Sequence, residues 1–524
     1  MKKAIKKLLA VLLAVAMVCA MAIPAFADTE SIREHHSFKA FQIFKGNVND
    51  ASEISNVEWG SCIHNYHDFL AELKKDPTLS TPFQDADSLQ KVLAVISTWH
   101  ESDDNSIAFA RFVCHYLYPT ADADPQPFIP TSGDVVQIPN DGAGYYLIVD
   151  TTYFNPGDSY HAYNSFLLNV TKAPWNLKIT PKVEKPSVKK EVYDNQDGTS
   201  NGAGFGSSAD HAINEEFQFK LTATLPASYD NDRAYDYYDK YTVIFNDTLS
   251  EGITFDRLDT VEITNGTTSQ VIDSNKYTLY EKQPYLTLGI DDVKTCASGL
   301  NLNDGATITV TYTAHLNDKA FVNTTSGSST ENKNSVQLQY SNNPRDTESF
   351  WGHTPKSEVC VYTYQLNNTK YHDKAEAGYE LPGAGFKLYS DEAYEHEVKL
   401  YKEGNFYYPI KNAPDKTPVE MKSADDGTFN VRGLDAGTYY LKETSTPAGY
   451  SACDVPPVTI KANHTEERVD LDGSTLSTTI INNKSGITLP STGGIGTTLF
   501  YVIGGGLMVA AAVLLITKKR MENK

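Results

Sequence analysis

Three segments in the middle of the chain each place one polar side chain on an otherwise apolar strand face. The polar residues are Lys190, Asp247 and Asn334, which supply an amine, a carboxyl and a carboxamide. Successive side chains of a strand point to opposite faces, so residues two apart share a face. Each polar residue shares its parity with the apolar residues of its own run, and these runs are residues 188–192, 241–247 and 334–340. The alternation therefore predicts that all three polar groups point into a core.

Three buried groups of these types can form either a non-covalent cluster or a covalent bond. A buried lysine without a partner is costly, so one interpretation is a hydrogen-bonded salt-bridge cluster. Burial also lowers the pKa of an amine and raises the pKa of a carboxyl. A neutral Lys190 can then attack the side-chain carbonyl of Asn334, while a protonated Asp247 polarises that carbonyl and shuttles protons as ammonia leaves. The product of the second arrangement is an intramolecular isopeptide bond.

The sequence around these three residues favours the covalent interpretation. The segments KPSVKKEV, FNDTLSEGITF and NSVQLQYSNNP resemble the isopeptide-forming domain of Gram-positive major pilins. The resemblance implies that Lys190 is joined to Asn334 and that Asp247 promotes the reaction.

A second set of the same residue types occurs further along the chain. The runs TYQLNNTKYH, ELPGAGFKLY, GLDAGTYYLKETSTPAGY and IINNKSG resemble the Cna-B-type β-sandwich of Gram-positive surface proteins. The resemblance implies that Glu443 is the promoting acid and that Lys370 is joined to Asn483. The adjacent Asn482 is the alternative, and parity with Ile481 favours Asn483.

A lysine that could accept a second protein chain follows the first domain. In the run WNLKITPK, apolar and polar residues alternate and a Pro-Lys pair follows, so Lys182 is predicted to face outward. The run resembles the pilin motif of sortase-assembled pili, in which the lysine amine resolves the acyl-enzyme of the preceding subunit. It departs from that motif at Thr180, where the family usually has tyrosine. The resemblance implies that Lys182 is the intersubunit lysine; Lys185 is the next candidate, and a solvated linker lysine is the alternative.

A pentapeptide, an apolar run and a basic cluster follow one another near the C-terminal end. The apolar run, Leu499 to Thr517, carries no charge. At about 1.5 Å per residue it can cross a hydrocarbon core of about 30 Å as a helix, with Lys518, Lys519 and Arg520 on the cytoplasmic side. The pentapeptide resembles the LPxTG sorting signal that sortases cleave between threonine and glycine; its residues are Leu489, Pro490, Ser491, Thr492 and Gly493. A single-span anchor behind a chance pentapeptide is the alternative, and the order of the three parts argues against it.

The N-terminal segment is typical of a secretory signal peptide. Early lysines precede an apolar stretch, and Ala25, Phe26 and Ala27 form an A-x-A cleavage site. The mature chain is therefore expected to begin near Asp28.

Six cysteines are present, and Cys19 lies within the signal peptide. The five that remain cannot all pair within one chain. In an oxidising exterior the pairs Cys62–Cys114 and Cys360–Cys453 can form disulfides, while buried free thiols are the alternative for each. A free thiol is the preferred interpretation for Cys296. No spacing is typical of a metal site, and the sequence predicts no metal and no cofactor.

Composition places the chain among exported proteins that are mainly β. Its 524 residues carry a net charge of −21, which argues against a nucleic-acid partner. Abundant tyrosine and short alternating runs predict strands. In the first domain, Ser88 can cap a helix with an apolar face, and Phe109 to Tyr116 form a second apolar stripe, so a helical insertion is expected.

Together with the resemblances, these patterns predict tandem immunoglobulin-like (Cna-type) β-sandwich domains between a signal peptide and a transmembrane helix. The expected divisions are a signal peptide at 1–27, an N-terminal pilin domain at 28–185, an isopeptide-forming domain at 186–345, a Cna-B-type domain at 358–486, and a sorting signal with transmembrane helix and basic tail at 489–524.

The resemblances imply a major pilin, polymerised by a sortase that joins Thr492 of one subunit to Lys182 of the next. The expected location is a fimbria anchored to the cell wall of a Gram-positive bacterium. The expected partners are pilus-type and housekeeping sortases, other copies of the chain, accessory pilins, peptidoglycan and host surface molecules. A singly displayed adhesin or minor pilin is the alternative. A secreted enzyme on a wall anchor is disfavoured because no substrate-directed triad, carboxylate pair or metal cluster is evident.

Overall fold

The structure is a computed structural model of the whole chain. The residues it describes are 36–48, 54–100, 103–119, 123, 125–130, 135–152, 161–163, 165–171, 175–179, 185–195, 204–226, 237–296, 302, 305–324, 331–345, 351–464, 469–471, 474–485 and 495–522. The predicted signal peptide, Lys182 and the pentapeptide Leu489–Gly493 lie outside these ranges.

The described residues of the first domain form an antiparallel sheet and three helices. Its elements are β1 Phe38–Val48, β2 Ile54–Trp59, α1 Tyr66–Leu73, α2 Leu89–Ile96, α3 Asp104–Leu117, β3 Ile129–Pro130, β4 Val135–Ile138, β5 Gly144–Asp150, β6 Ser165–Val170 and β7 Trp175–Lys178. The sheet runs in the order β2-β1-β5-β6, with β3 also paired to β1, and β4 pairs separately with β7. The helices pack on one face of the sheet and the β4–β7 pair packs on the other.

The predicted apolar stripes form the helical part of this core. Leu89 and Val92 of α2 are buried, as are Phe109 and Phe112 of α3, and Ser88 occupies the N-cap position of α2. The first domain is therefore β with a helical insertion, as the periodicity predicts.

The second domain is a sandwich of two sheets. Its strands are β8 Ser187–Asp194, β9 Gly204–Gly206, β10 Ser208–Asp210, β11 Glu216–Thr224, β12 Val243–Leu249, β13 Ile253–Asn265, β14 Thr268–Val271, β15 Thr278–Lys282, β16 Tyr285–Ile290, β17 Thr307–Leu316, β18 Asn332–Ser341, β19 Trp351–His353 and β20 Ser357–Tyr362. Short 3-10 helices cover Ser274–Lys276 and Val293–Thr295. One sheet has the order β14-β13-β17-β11-β8-β9 and the other β10-β20-β18-β12-β16-β15, with β19 on β18.

The boundary between the second and third domains differs from the expected one. Strand β20 pairs with β18 and β10, so Ser357–Tyr362 completes a sheet of the second domain. A division at residue 358 would cut through this strand. The strand pairing, which depends on residues far apart in sequence, moves the start of the third domain to Tyr364.

The third domain is a smaller sandwich. Its strands are β21 Tyr364–His372, β22 Gly385–Tyr389, β23 Leu400–Glu403, β24 Phe406–Pro409, β25 Met421–Lys422, β26 Val431–Leu434, β27 Gly437–Ser445, β28 Val458–Ile460, β29 Asn463–His464, β30 Val469–Asp470 and β31 Ser477–Asn482. One sheet has the order β23-β24-β26-β21-β31 and the other β25-β22-β27-β28, while β29 and β30 pair with each other. The chain continues into helix α4, Ile495–Glu522, of which Tyr501–Met521 is long and apolar enough to cross a membrane.

Backbone hydrogen bonds join the second and third domains. The amide of Ile213 donates to the carbonyl of Gly433 at 2.9 Å. Gly433 has a positive φ of 84°, and a Cβ there would lie 2.6 Å from the Ile213 side chain. The close approach of the two domains therefore requires glycine at this position.

Candidate functional site

The first candidate site lies between the two sheets of the second domain. Lys190 is on β8 of one sheet, whereas Asp247 on β12 and Asn334 on β18 belong to the facing sheet. Strands β12 and β18 are antiparallel neighbours, and their register puts Asp247 opposite Val336, two residues from Asn334. The exposed fractions of the three residues are 2%, 1% and 0%, so the predicted inward orientation is confirmed.

The amine of Lys190 contacts both oxygens of the Asp247 carboxyl. Its Nζ lies 2.7 Å from Oδ1 and 2.6 Å from Oδ2. Burial lowers the pKa of Lys190 to about 8, although the neighbouring Asp247 acts in the opposite direction. An amine with this pKa is neutral far more often than a surface lysine at the same pH. The short contacts also give its proton a direct path to the carboxyl.

Tyr312 on β17 links the members of this first cluster. Its hydroxyl donates to Asp247 Oδ2 at 2.7 Å and accepts from Asn334 Nδ2 at 2.6 Å, and Lys190 Nζ donates to it at 3.1 Å. Burial, helped by the Asp247 charge, raises the pKa of Tyr312 well above its usual value. The Oδ1 atom of Asn334 is buried and has no hydrogen-bond partner among the described residues. Tyr312 thus holds the asparagine amide next to the amine and carboxyl.

Tyr312 is not among the residues that the sequence patterns single out. Its parity with Val310 and Ala314 indicates an inward side chain. A buried tyrosine in an apolar run is, however, most simply explained as part of the core. Only its contacts with the three predicted residues show that it belongs to the cluster.

The second candidate site lies in the third domain and also contains a lysine, a carboxylic acid and an asparagine. Lys370 Nζ on β21 donates to Asn482 Oδ1 at 2.5 Å and lies 3.4 Å from Glu443 Oε2. The Nδ2 of Asn482 donates in turn to Glu443 Oε1 at 2.7 Å. The side chains of Lys370 and Glu443 are 0% and 2% exposed, and Asn482 is fully buried. Each of the three groups contacts the other two, and the Lys370 amine lies within hydrogen-bond distance of the Asn482 side-chain carbonyl oxygen.

The asparagine of this second cluster is Asn482, and the expectation of Asn483 is wrong. Asn482 ends β31 and shares the buried parity of Ile480, whereas Asn483 follows the strand and is exposed. Two consecutive isoleucines leave the inward face ambiguous in sequence, because either of them can be the core residue. The parallel pairing of β31 with β21 settles this by placing Lys370 opposite Ile480.

The two clusters differ in the strands that carry their lysine and asparagine. In the second domain the amine and the amide lie on facing sheets. In the third domain they lie on adjacent parallel strands of one sheet, while the acid Glu443 comes from β27 of the facing sheet. A bond at the first site would tie sheet to sheet, and a bond at the second would tie strand to strand.

The cysteines do not form the disulfides considered above. Cys62, Cys114, Cys296, Cys360 and Cys453 all lie in the described part of the chain, and all five are free. Burial raises the pKa of Cys62 to about 12 and that of Cys114 to about 11, so these thiols remain protonated. Cys453 instead belongs to the second cluster, where Lys370 Nζ lies 3.6 Å from its sulfur.

The strand that leads to the predicted intersubunit lysine has the expected alternation. Leu177 and Ile179 are buried, and Lys178 is exposed. Lys182 itself lies outside the described residues, and Lys185 is half-buried. The outward parity predicted for Lys182 therefore remains a prediction.

Comparison with protein families identifies two segments of the chain. Residues 367–475 match the family SpaA, described as a prealbumin-like fold domain. Residues 481–523 match the LPXTG cell wall anchor motif. Neither description is that of a catalytic domain. The chain is a mainly β surface protein with a cell wall anchor motif.

Solved structures of major pilins are distantly similar. A backbone pilin of Streptococcus pyogenes, described as a modular three-domain structure, is 16% identical, with 87% of this chain and 97% of that chain covered and a TM-score of 0.47. The full-length major pilin SpaD of Corynebacterium diphtheriae is 21% identical, with coverages of 70% and 87% and a TM-score of 0.42. The C-terminal fragment of a major pilin of Streptococcus agalactiae is 23% identical, with coverages of 57% and 100% and a TM-score of 0.41. No curated protein sequence matches the chain.

Proposed function

We propose that this chain is the backbone subunit of a sortase-assembled pilus on the wall of a Gram-positive bacterium. The observation that carries the proposal is the pair of buried lysine–acid–asparagine clusters in a chain with a cell wall anchor motif. A subunit that is held to its neighbours by single covalent joints transmits any pull through its own domains. An internal cross-link in a domain suits that load.

The chemistry proposed for both clusters is amide exchange. The lysine Nζ, as a neutral amine, attacks the side-chain carbonyl carbon of the asparagine. The neighbouring acid, Asp247 or Glu443, stabilises the oxygen of the tetrahedral intermediate and passes the proton of the amine to the departing nitrogen. The C–Nδ2 bond breaks, a C–Nζ bond remains, and ammonia is released. The acid is regenerated, so no cofactor or oxidant is needed.

The bonds proposed are Lys190–Asn334 and Lys370–Asn482. For the first, the Lys190–Asp247 contacts of 2.6 and 2.7 Å support proton transfer from the amine. For the second, the 2.5 Å contact between Lys370 Nζ and Asn482 Oδ1 supports attack on that carbonyl. Both acids are buried, so water competes little with the amine.

The joint between subunits is proposed to form at the sorting signal. A sortase cysteine attacks the Thr492 carbonyl and releases the chain from Gly493 onward. The amine of Lys182 on another copy then displaces the enzyme and forms an amide with Thr492. A pilus-type sortase would repeat this step, accessory pilins would join by the same chemistry, and a housekeeping sortase would transfer the finished polymer to peptidoglycan.

Denaturing gels of wall extracts test the proposal. The expected result is a ladder of multimers that resists boiling and reduction, because amide bonds between subunits survive both treatments. A single band at monomer size would contradict the backbone role and favour a singly displayed adhesin or minor pilin.

A further inference from the structure

A group of buried polar side chains occupies the junction between the second and third domains. His211 follows β10 and Glu215 precedes β11, so both belong to the second domain. Asp435 lies between β26 and β27 of the third domain. One ring nitrogen of His211 and one carboxylate oxygen from each acid lie within 4.8 Å of one another. These three residues, the junction triad, belong to neither isopeptide cluster and have no role in the proposed pilus chemistry.

The histidine of the junction triad has one nitrogen left for a ligand. Its Nε2 lies 2.7 Å from the carbonyl oxygen of Tyr193, and a contact with a carbonyl requires the proton on Nε2. Its Nδ1 is therefore a lone-pair donor, and it is buried with no hydrogen-bond partner among the described residues. The ring is 2% exposed and stacks on Phe217 with 4.2 Å between ring centres. A fixed ring with one nitrogen on a backbone carbonyl is the usual setting of a metal-binding histidine.

The acids bring two carboxyl groups into the same space. Asp435 is 4% exposed, and the Glu215 side chain is 15% exposed. Asn195 Nδ2 donates to Asp435 Oδ2 at 3.1 Å, and Lys411 Nζ contacts Glu215 Oε1 at 2.5 Å. A cation bound among these acids would compensate the charge of their carboxylates.

We propose that His211 Nδ1, Glu215 and Asp435 bind a divalent transition-metal ion of the zinc class, with water as a further ligand. One imidazole with two carboxylates is a donor set for Zn²⁺, whereas Ca²⁺ and Mg²⁺ prefer sites made of oxygen alone. One ligand atom of each residue lies within 4.8 Å of the others, so side-chain rotations would be needed to reach the bond distances of about 2.0–2.2 Å that zinc requires.

The site would tie two domains together. Two ligands come from the second domain and one from the third, so the ion can bind fully only when the domains are in contact. Binding therefore stabilises the docked arrangement by mass action. Sequence spacing does not reveal such a site, because Asp435 lies about 220 residues beyond Glu215, far outside the short ligand spacings of recognisable zinc motifs.

Zinc titration of the full chain in detergent, after removal of metal with a chelator, tests the proposal. Calorimetry with ZnCl₂ should show one site per chain, and bound Zn²⁺ should raise the Tm by about 2 °C or more. Glu215→Gln keeps the size of the side chain but removes a ligand charge, and it should weaken Zn²⁺ binding by about tenfold or more. Glu216→Gln is the matched control, because Glu216 is exposed and pairs with Arg257 on the surface.

Asp435→Asn is a second variant that tests Zn²⁺ binding if Glu215→Gln folds poorly. Asp435→Asn preserves the side-chain shape and removes a buried charge, so its metal-free Tm should be at least that of the parent chain. It should nevertheless lose Zn²⁺ binding and the associated rise in Tm. The proposal is overturned if the parent chain binds no Zn²⁺, or if both variants bind it as tightly as the Glu216→Gln control.

Discussion

Asn334 and Asn482 are held beside their lysines in different ways. Asn482 accepts directly from Lys370 and donates to Glu443. Asn334 instead donates to the hydroxyl of Tyr312, which also contacts Lys190 and Asp247. A single hydroxyl therefore positions the amide in one cluster, whereas the acid itself does so in the other.

Removal of that hydroxyl should slow bond formation in the second domain alone. Tyr312→Phe keeps the ring in the core but releases Asn334 from its hydrogen bond. A small misplacement of a reacting group slows a reaction by about tenfold to a hundredfold. The measurement is the time course of ammonia loss, followed by intact mass as newly made chain folds. The Lys370–Asn482 bond is the internal control, and loss of both ammonias at the parent rate would refute the positioning role.

The acids should each control one covalent bond. The mature ectodomain is expected to weigh less than its sequence mass by two ammonia molecules. Asp247→Ala should reduce this mass deficit by one ammonia, and Glu443→Ala should reduce it by the other. Each variant lacks the group that moves protons at its site. Intact mass under reducing conditions measures this directly. Asp256→Ala, which removes a surface acid paired with His315, should leave the mass deficit unchanged. A parent mass equal to the sequence mass would leave both clusters as buried polar networks only.

At the scale of elements, the two proposed bonds would cross-link different kinds of strand pair in their sandwiches. The Lys190–Asn334 bond would cross from β8 to β18 on the facing sheet. The Lys370–Asn482 bond would reinforce the parallel pair β21–β31, whose hydrogen bonds run from Asn367 to His372. Among the described residues, β31 is the last strand before helix α4, so force transmitted through Thr492 would enter the third domain there.

The end of β31 offers a matched pair of substitutions. Asn482→Ala should abolish one ammonia loss, because it removes the carbonyl that Lys370 contacts. Asn483→Ala alters the adjacent exposed residue and should have no effect. Peptide mapping after protease digestion should show the branched Lys370 peptide in the parent chain and in Asn483→Ala but not in Asn482→Ala. The reverse pattern would return the assignment to Asn483.

At the scale of the whole molecule, covalent bonds inside and between subunits would act in series. The proposed internal bonds would close loops of about 140 and 110 residues, and a cross-link of such a loop stabilises a fold by about 5 kcal/mol in the chain-entropy model. Force that passes through a cross-link bypasses most of the strands between its ends. The domains would then remain folded while the fibre is pulled.

Loss of both internal bonds should make the subunit easier to unfold. The double variant Asp247→Ala with Glu443→Ala should lower the Tm by about 10 °C or more and speed digestion by protease, since both cross-links are absent. Calorimetry and timed digestion measure these effects. Glu251→Ala, an exposed acid outside both clusters, should behave as the parent chain. A double variant as stable as this control would show that the clusters add no covalent stability.

Polymer formation should depend on one lysine. Lys182→Ala should abolish the ladder of multimers while folded, wall-attached monomer remains, because the amine that receives Thr492 is lost. Lys185→Ala is the comparison variant and should polymerise normally. A normal ladder from Lys182→Ala would rule out this residue, and loss of the ladder from Lys185→Ala would transfer the role to Lys185.

Much of the candidate site could be predicted from sequence because strand parity is a local property. Side chains alternate along a strand with a period of two, and this predicts that Lys190, Asp247 and Asn334 point inward. The prediction does not depend on how the strands pair in the sheets. The cell wall anchor motif and the apolar run of α4 are also local patterns, and both are found where the sequence predicts them.

The remaining features depend on which strands meet, and this is decided by the tertiary structure. Tyr312 joins the first cluster only because β17 packs across from β12 and β18. The choice of Asn482 over Asn483 depends on the register of β31 against β21. The junction triad forms because two domains dock. Sheet register and domain docking depend on the sum of many weak contacts between distant segments, so no short stretch of sequence determines them.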